Sequence, residues 1–373
     1  MTNTAQRFTA LDVFRGMTIC FMIIVNTPGN GETTWSPLHH AHWDGFTPTD
    51  LVFPSFLFAV GNAMSFVMKQ WETFSQQQVL WKICKRTAII FLLGYLMYWF
   101  PFFDLDDNHH IVSFPIQQTR ILGVLQRIAL CYGIASLLIY YFREKIAVVI
   151  SVVLLFLYWI LLYAFGDAGN ELTMTGNAGM KFDLWLMGEN HLYHGEGIAF
   201  DPEGWLSTLP AVANVVGGFV VGKYVQSKGK TFEGLSKLLL TGFGLLVIAY
   251  FWNLVFPVNK KLWTSSFVVL TVGLDCVILA AVIYWIDFKK KNGWFFEVPG
   301  KNPLIVYLLS ELMATVFGMI YIHNNQNLHE WLYENIFSLA GAYLGSFLFA
   351  IAYMLLCWSV GYWMDKKRIY IRV

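Results

Sequence analysis

The sequence predicts an all-α membrane protein, a polytopic bundle of about ten transmembrane helices with both termini in the cytoplasm. Three observations carry this. Of 373 residues, 57% are hydrophobic and only 13% charged, and the mean hydropathy is +0.52, far above that of a soluble domain. Apolar runs long enough to cross a hydrocarbon core recur along the whole length, without the two-residue alternation of barrel strands. Lysine and arginine gather in every second connection.

The first span, roughly 10–27, follows the polar stretch MTNTAQRF and runs into Asn26 and Pro28 with no small-residue cleavage site. It is expected to be retained rather than removed as a signal peptide. The second, 47–69, opens on TPTDL, where Asp50 suits a helix N-terminus. Spans at roughly 80–102, 119–142 and 145–165 follow, with Arg127 inside the fourth. The sixth, 204–226, is preceded by Asp201 and Pro202, which read as an N-cap with proline at the first helical position. Spans at roughly 234–256, 262–287, 302–323 and 338–365 complete the set. The five cysteines, at 20, 84, 131, 276 and 357, all fall within spans, where small apolar packing is expected. No disulfide framework or metal-ligand spacing is present, so no metal is expected, and with no internal repeat the chain 1–373 reads as a single transmembrane domain.

Charge fixes the expected orientation. With a cytoplasmic N-terminus, 20 of the 25 lysines and arginines, Arg7 and Arg372 among them, lie at the cytoplasmic side. Arg120, Lys181, Lys260 and Lys261 fall outside it, and Arg127 lies within a span. All nine histidines, at 39, 40, 42, 109, 110, 191, 194, 323 and 329, fall in connections facing the other way. The longest connections, 28–46, 103–118 and 166–203, are on that same side, where long loops tend to carry function.

Polar groups inside a bilayer are costly and usually face a protein interior or a cavity. Asp12 and Arg15, three residues apart on one helix face, are suited to pair with each other. Arg127 cannot shed its charge and needs a carboxylate or a phosphate. Asn26 ends the first helix, His40 lies in the loop that follows, and Asp50 begins the second helix. Two antiparallel helices joined by a loop bring these groups together at the outer face. The imidazole can take a proton from an attacking amine or alcohol, the carboxylate can hold its tautomer, and the amide suits an oxyanion. Solvated loop histidines and a helix-dipole carboxylate are the plainer alternative, and residue pattern alone leaves both open.

The ordered segments LDVFRGMTI, VNTPG, HAHWDGFTPTDLVFPSFLFAVG, RILGVLQRIAL, FDLWLMGENHLY, FDPEGWLSTLPAV, PVNKKLWTSSFV and PGKNPLIVYLLSE resemble the transmembrane heparan-α-glucosaminide N-acetyltransferases and their bacterial relatives. The resemblance implies a membrane acyltransferase that uses cytosolic acetyl-CoA to acetylate the amino group of a glucosaminide on the opposite, periplasmic face of a bacterial inner membrane. It places the essential histidine at His40, with Asn26 and Asp50 beside it, and ranks His42 second. The chain lacks the amino-terminal lumenal domain and the following extra helix of the lysosomal members, so a reduced catalytic core is expected, and a homodimer is left open.

The implied reaction joins two compartments. Basic residues Lys82, Arg86 and Lys301 are candidates for the CoA nucleotide, and Arg120 and Arg127 for the donor's passage toward His40; Arg127 pairing with Glu311 is the alternative. Trp43, Asp44, His191, Asp201 and Glu203, with His42, are candidates for the amino-sugar acceptor. His40 either acts as a base or itself accepts the acetyl group. A transporter would also explain the intramembrane charges, but paired broken helices and internal repeats are not evident in the sequence. A different envelope sugar or lipid-linked acceptor stays open. The basic residues follow one membrane face rather than forming a patch, so no nucleic-acid partner is expected.

Overall fold

A computed structural model of the chain describes residues 8–105, 110–323 and 326–371; Arg7, His109 and Arg372 lie outside the described residues. Twelve α-helices are found among them. They are α1 (Thr9–Asn26), α2 (Val52–Trp71), α3 (Gln76–Trp99), α4 (Val124–Phe165), α5 (Ala178–Met187), α6 (Thr208–Lys228), α7 (Phe232–Asn253), α8 (Ser265–Ile283), α9 (Trp294–Lys301), α10 (Pro303–Met319), α11 (Leu328–Leu332) and α12 (Ala342–Lys366). Seven helices are long and apolar enough to cross a membrane, and an eighth span follows if α9 and α10, bent by 83° at Asn302, are counted as one.

Two short antiparallel hairpins add to the all-α reading: β1 (Phe103–Leu105) with β2 (Ile111–Ser113), and β3 (Tyr321–His323) with β4 (Gln326–Asn327). The expected spans 119–142 and 145–165 form one 42-residue run that breaks its helical path only at Arg143, where φ is 60° and ψ 172°. Hydropathy finds the two halves, but it does not reveal that their junction is so tight.

Association of helices in lipid relies on close backbone approach rather than on a hydrophobic drive. Helices α2 and α6 meet in this way: a Cβ at Gly61 would overlap the Val215 carbonyl, and one at Gly218 would overlap that of Phe58. Helices α1 and α9 repeat the device, with Gly16 against Phe296 and Gly300 against Asp12. Asn302, at the α9–α10 bend, ties the chain's far end down, donating to the Ile369 carbonyl at 2.9 Å and accepting from the Ile371 amide at 3.1 Å.

Two sequence expectations change here. Helix α6 begins at Thr208, behind Ser207, so Asp201 is not its N-cap; its carboxylate has other partners, described below. Cys84 is exposed on α3 while the other four cysteines are buried, because a lone apolar-compatible side chain on a lipid-facing stripe has no core to join. Asp12 and Arg15 pair as expected, 3.3 Å apart, and Arg15 also donates to the Gly300 carbonyl at 3.2 Å.

Candidate active site

At the end of the bundle where α1 stops, α2 begins and α3 stops lies a cavity of about 330 Å³. Its wall includes Asn26, His40, Thr49, Tyr98, Arg120, Tyr193, Glu196, Glu203, Lys260, Lys261, Tyr307 and Glu311. Several long loops and the midpoint of α10 therefore face one space.

Its wall at His40 is built by the start of α2. Residues Pro48–Leu51 form a 3₁₀ turn with Pro48 at its first position, which swings Asp50 back over the loop. Asp50 is fully buried. One of its oxygens accepts from the amides of Ala41 (3.1 Å) and Thr47 (2.9 Å) and from the Thr47 hydroxyl (3.1 Å). The other lies 2.7 Å from His40 Nδ1. An ionised carboxylate only accepts, so Nδ1 carries the proton and donates it, and the lone pair is left on Nε2. The ring, whose side chain is 43% exposed, sits at the cavity edge.

Opposite stands Lys260, whose Nζ is 3.0 Å from His40 Nε2. A tight loop presents it. Buried Asn259 accepts from the Leu262 amide at 2.8 Å and donates to Asp44 at 3.1 Å, and Trp263 holds a left-handed backbone with φ of 55°. Such a conformation persists only where packing enforces it. Trp263 is wedged edge-on between Phe53 and Phe267, its indole donating to Asn214 at 3.2 Å. Partial burial disfavours the imidazolium and moves the His40 pKa below its ordinary value; the Asp50 hydrogen bond opposes this, and the Lys260 ammonium adds to it.

The third wall is a charge cluster. Arg120 grips Asp201 with two bonds, 2.9 and 2.6 Å, and reaches Glu203 at 2.5 Å, while Tyr193 and Tyr98 cover its guanidinium at 4.6 and 5.1 Å. Asp201 also accepts from the Glu203 amide at 2.9 Å, so it sets both neighbours. Farther out, Lys261 pairs with Glu196 at 2.5 Å.

The structure thus brings together His40, Asn26, Asp50, Arg120, Asp201 and Glu203. It places the remaining candidates elsewhere. His42 is exposed outside the cavity wall; Trp43 donates to the Leu172 carbonyl at 2.9 Å; and His191 bonds the Thr119 carbonyl at 2.8 Å. Arg127 is fully buried, donates to the Gly204 carbonyl at 3.0 Å and to the Ser207 hydroxyl, and stacks on Trp263 at 4.8 Å. It does not pair with Glu311, whose hydrogen-bond partner is the Asn26 amide at 3.5 Å. Lys82 lies over the Phe74 ring and Arg86 over Tyr132, about 24 and 18 Å along α3 from Tyr98 at 1.5 Å per residue. Lys301 bonds Asp365 at 2.9 Å and Glu297 at 3.3 Å.

The sequence-level reading passed over Lys260 and Lys261 as site residues. Their signal was present: they are among the few cations that break the one-sided charge distribution. Three of those four, Arg120, Lys260 and Lys261, line the cavity; the fourth, Lys181, pairs with Asp167 at 2.5 Å.

Residues 7–232 match the family described as heparan-alpha-glucosaminide N-acetyltransferase, catalytic, a stretch that contains Asn26, His40, Asp50, Arg120 and Glu203. The chain belongs to this family. Two curated members, each named heparan-alpha-glucosaminide N-acetyltransferase, are 26% identical: the Mus musculus protein over 398 aligned residues and the Homo sapiens protein over 391. The alignments cover 91% and 90% of this chain but 58% and 57% of those proteins, so the chain spans a little over half the length of these N-acetyltransferases.

Proposed function

We propose that the protein is a membrane-embedded acetyltransferase that moves an acetyl group from acetyl-CoA to the amino group of a glucosaminide. The observation that carries this reading is the His40–Asp50 pair, with Nε2 of His40 at the edge of a cavity of about 330 Å³. That volume is at the small end for ligand pockets. It suits an amino sugar together with the thioester end of the donor, leaving the nucleotide outside.

Acetyl-CoA supplies an activated acetyl thioester. The amine attacks in its neutral form: His40 Nε2 is placed to take a proton from it as the new C–N bond forms, and the imidazolium returns that proton to the CoA sulfur as the C–S bond breaks. Asp50 keeps the opposite proton on Nδ1 and stabilises the imidazolium that results. Asn26 offers amide N–H groups to the oxygen on which negative charge develops. The Lys260 ammonium, resting against Nε2, must turn aside for the acceptor. Glu203, on the same wall, is positioned to receive it.

The sidedness belongs to the same proposal. Counting α4 as two spans joined at Arg143, α3 as one and α9 with α10 as one gives ten crossings and so both termini on one side; we take that side as the cytoplasm from the lysine and arginine bias, with the cavity at the periplasmic face of the inner membrane. Arg86 and Lys82 then lie toward the cytoplasmic end, where they would meet the CoA nucleotide. We also take residues 1–373 to act as a single acyltransferase domain.

The test is reconstitution in sealed vesicles, with labelled acetyl-CoA on one side and glucosamine on the other. Labelled N-acetylglucosamine is expected on the glucosamine side. Label appearing only on the acetyl-CoA side would overturn the passage, and none on either side would overturn the acetyltransferase reading for this acceptor.

The electrostatics of His40 give a second expected result. The base works when neutral, so kcat rises with pH through the His40 pKa, which lies below the ordinary 6.5. Lys260→Met removes a nearby positive charge that disfavours the imidazolium, so the acidic limb of the kcat profile moves to higher pH. A limb that stays in place in the variant would show that Lys260 does not tune the base.

A further inference from the structure

Glu311 poses a question that the reaction as described leaves unanswered. It lies midway along α10, among residues suited to the bilayer, where an ionised carboxylate is expensive unless paired. Yet among the described residues no lysine, arginine or histidine lies within ion-pair distance of it. Arg127, the cation expected there, is taken up by Gly204 and Ser207, and Arg120 by Asp201 and Glu203. Among the described residues the only side chain bonded to the Glu311 carboxylate is the Asn26 amide, and at 3.5 Å that bond is long.

Its surroundings favour a cation supplied from outside. Glu311 lines the same cavity as His40, and so do Tyr98 and Tyr307, aromatic side chains whose faces attract cations. The cavity's own cations are already committed: Arg120 to two carboxylates, Lys261 to Glu196 and Lys260 to His40.

We infer that Glu311, with Asn26, Tyr98 and Tyr307, forms a binding subsite for an organic primary ammonium ion, selecting amine-bearing over neutral sugars. This deepens the proposed function, on whose acceptor it rests for biological meaning, but the binding itself does not depend on acetyl transfer. The ligand cation completes the pair that the helix leaves open, and a sugar of the same shape without charge leaves Glu311 unsatisfied.

The experiment is calorimetric titration of the purified protein in detergent at pH 6.5 with glucosamine, glucose and methylammonium chloride. Glucosamine is expected to bind more tightly than glucose, by on the order of ten- to a hundredfold for one charge-assisted contact, and methylammonium to compete with it where sodium chloride does not. Glu311→Gln is expected to remove that preference while leaving the weak binding of glucose as it was. His40→Ala is expected to keep the preference, and in the wild type absent transfer with retained amine selectivity would overturn the acetyltransferase reading and not this one. Equal binding of glucosamine and glucose by the wild type, or glucosamine affinity unchanged in Glu311→Gln, would overturn the subsite. Should Glu311→Gln not fold, methylammonium competition in the wild type decides: no competition overturns it.

Discussion

His40→Ala is expected to lower acetyl transfer roughly 10²- to 10⁴-fold, the span ordinarily contributed by one positioned acid–base group. The unfolding midpoint in detergent is expected to change little, since the ring is 43% exposed and buried Asp50 keeps its donors from Ala41 and Thr47. Among the described residues His40 carries the only imidazole on the cavity wall, and its Nδ1 is held by a buried carboxylate. Neighbouring histidines supply the control. His39 spends its Nε2 on the Thr34 carbonyl at 3.1 Å, and His110 stands beside the β1–β2 hairpin, so alanine at either position is expected to retain most activity. Equal losses at all three positions would indicate a general defect of the loops and sink the assignment of His40 as base. Asp50→Asn is expected to reduce kcat as well, because an amide no longer stabilises the imidazolium and can turn the ring to the wrong tautomer.

Arg120→Ala is expected to have the largest effect on stability, about 3–5 kcal/mol, the usual consequence of stranding buried charges by removing their partner. Two carboxylates lose their cation at once: Asp201, whose side chain is fully buried, and Glu203, which is 11% exposed. Arg120→Lys is not expected to rescue, because a single ammonium cannot reproduce the two-pronged grip on Asp201. Adding Asp201→Asn to Arg120→Ala is expected to recover part of the loss, by removing one stranded charge. Thermal unfolding in detergent reads both effects. An unchanged midpoint in Arg120→Ala would show that the cluster is not structural.

The two predictions separate functions that the sequence had left mixed. Arg120 was expected to serve the donor and Asp201 and Glu203 the acceptor, yet they form one unit, with Asp201 behind and Glu203 facing the cavity. Arg127, the deepest cation, is a packing element pressed against Trp263 rather than the partner of Glu311. Spacing of seven residues places Arg120 and Arg127 on one helical face, but Arg120 precedes the first turn of α4 and Arg127 lies within it, so they turn to different neighbours.

What the sequence determined is what depends on local composition and length. Hydrophobic runs marked, to within about five residues, the seven helices that are long and apolar enough to cross a membrane, because any chain entering hydrocarbon must satisfy its backbone within its own helix. The adjacency of Asn26, His40 and Asp50 was legible for a related reason: two consecutive antiparallel helices bring the end of the first and the start of the second to the same face, whatever the length of the connection between them. Tertiary structure alone decided which partners polar side chains took across the bundle. Lys260 lies 220 residues from His40, and Glu311 lies 285 from Asn26; contacts at such separations are set by helix packing, through close approaches such as Gly61 against Val215. Because a charged side chain in a low-dielectric interior must take whichever partner packing brings within reach, its identity in the sequence could announce that it needed one but not which one it would find.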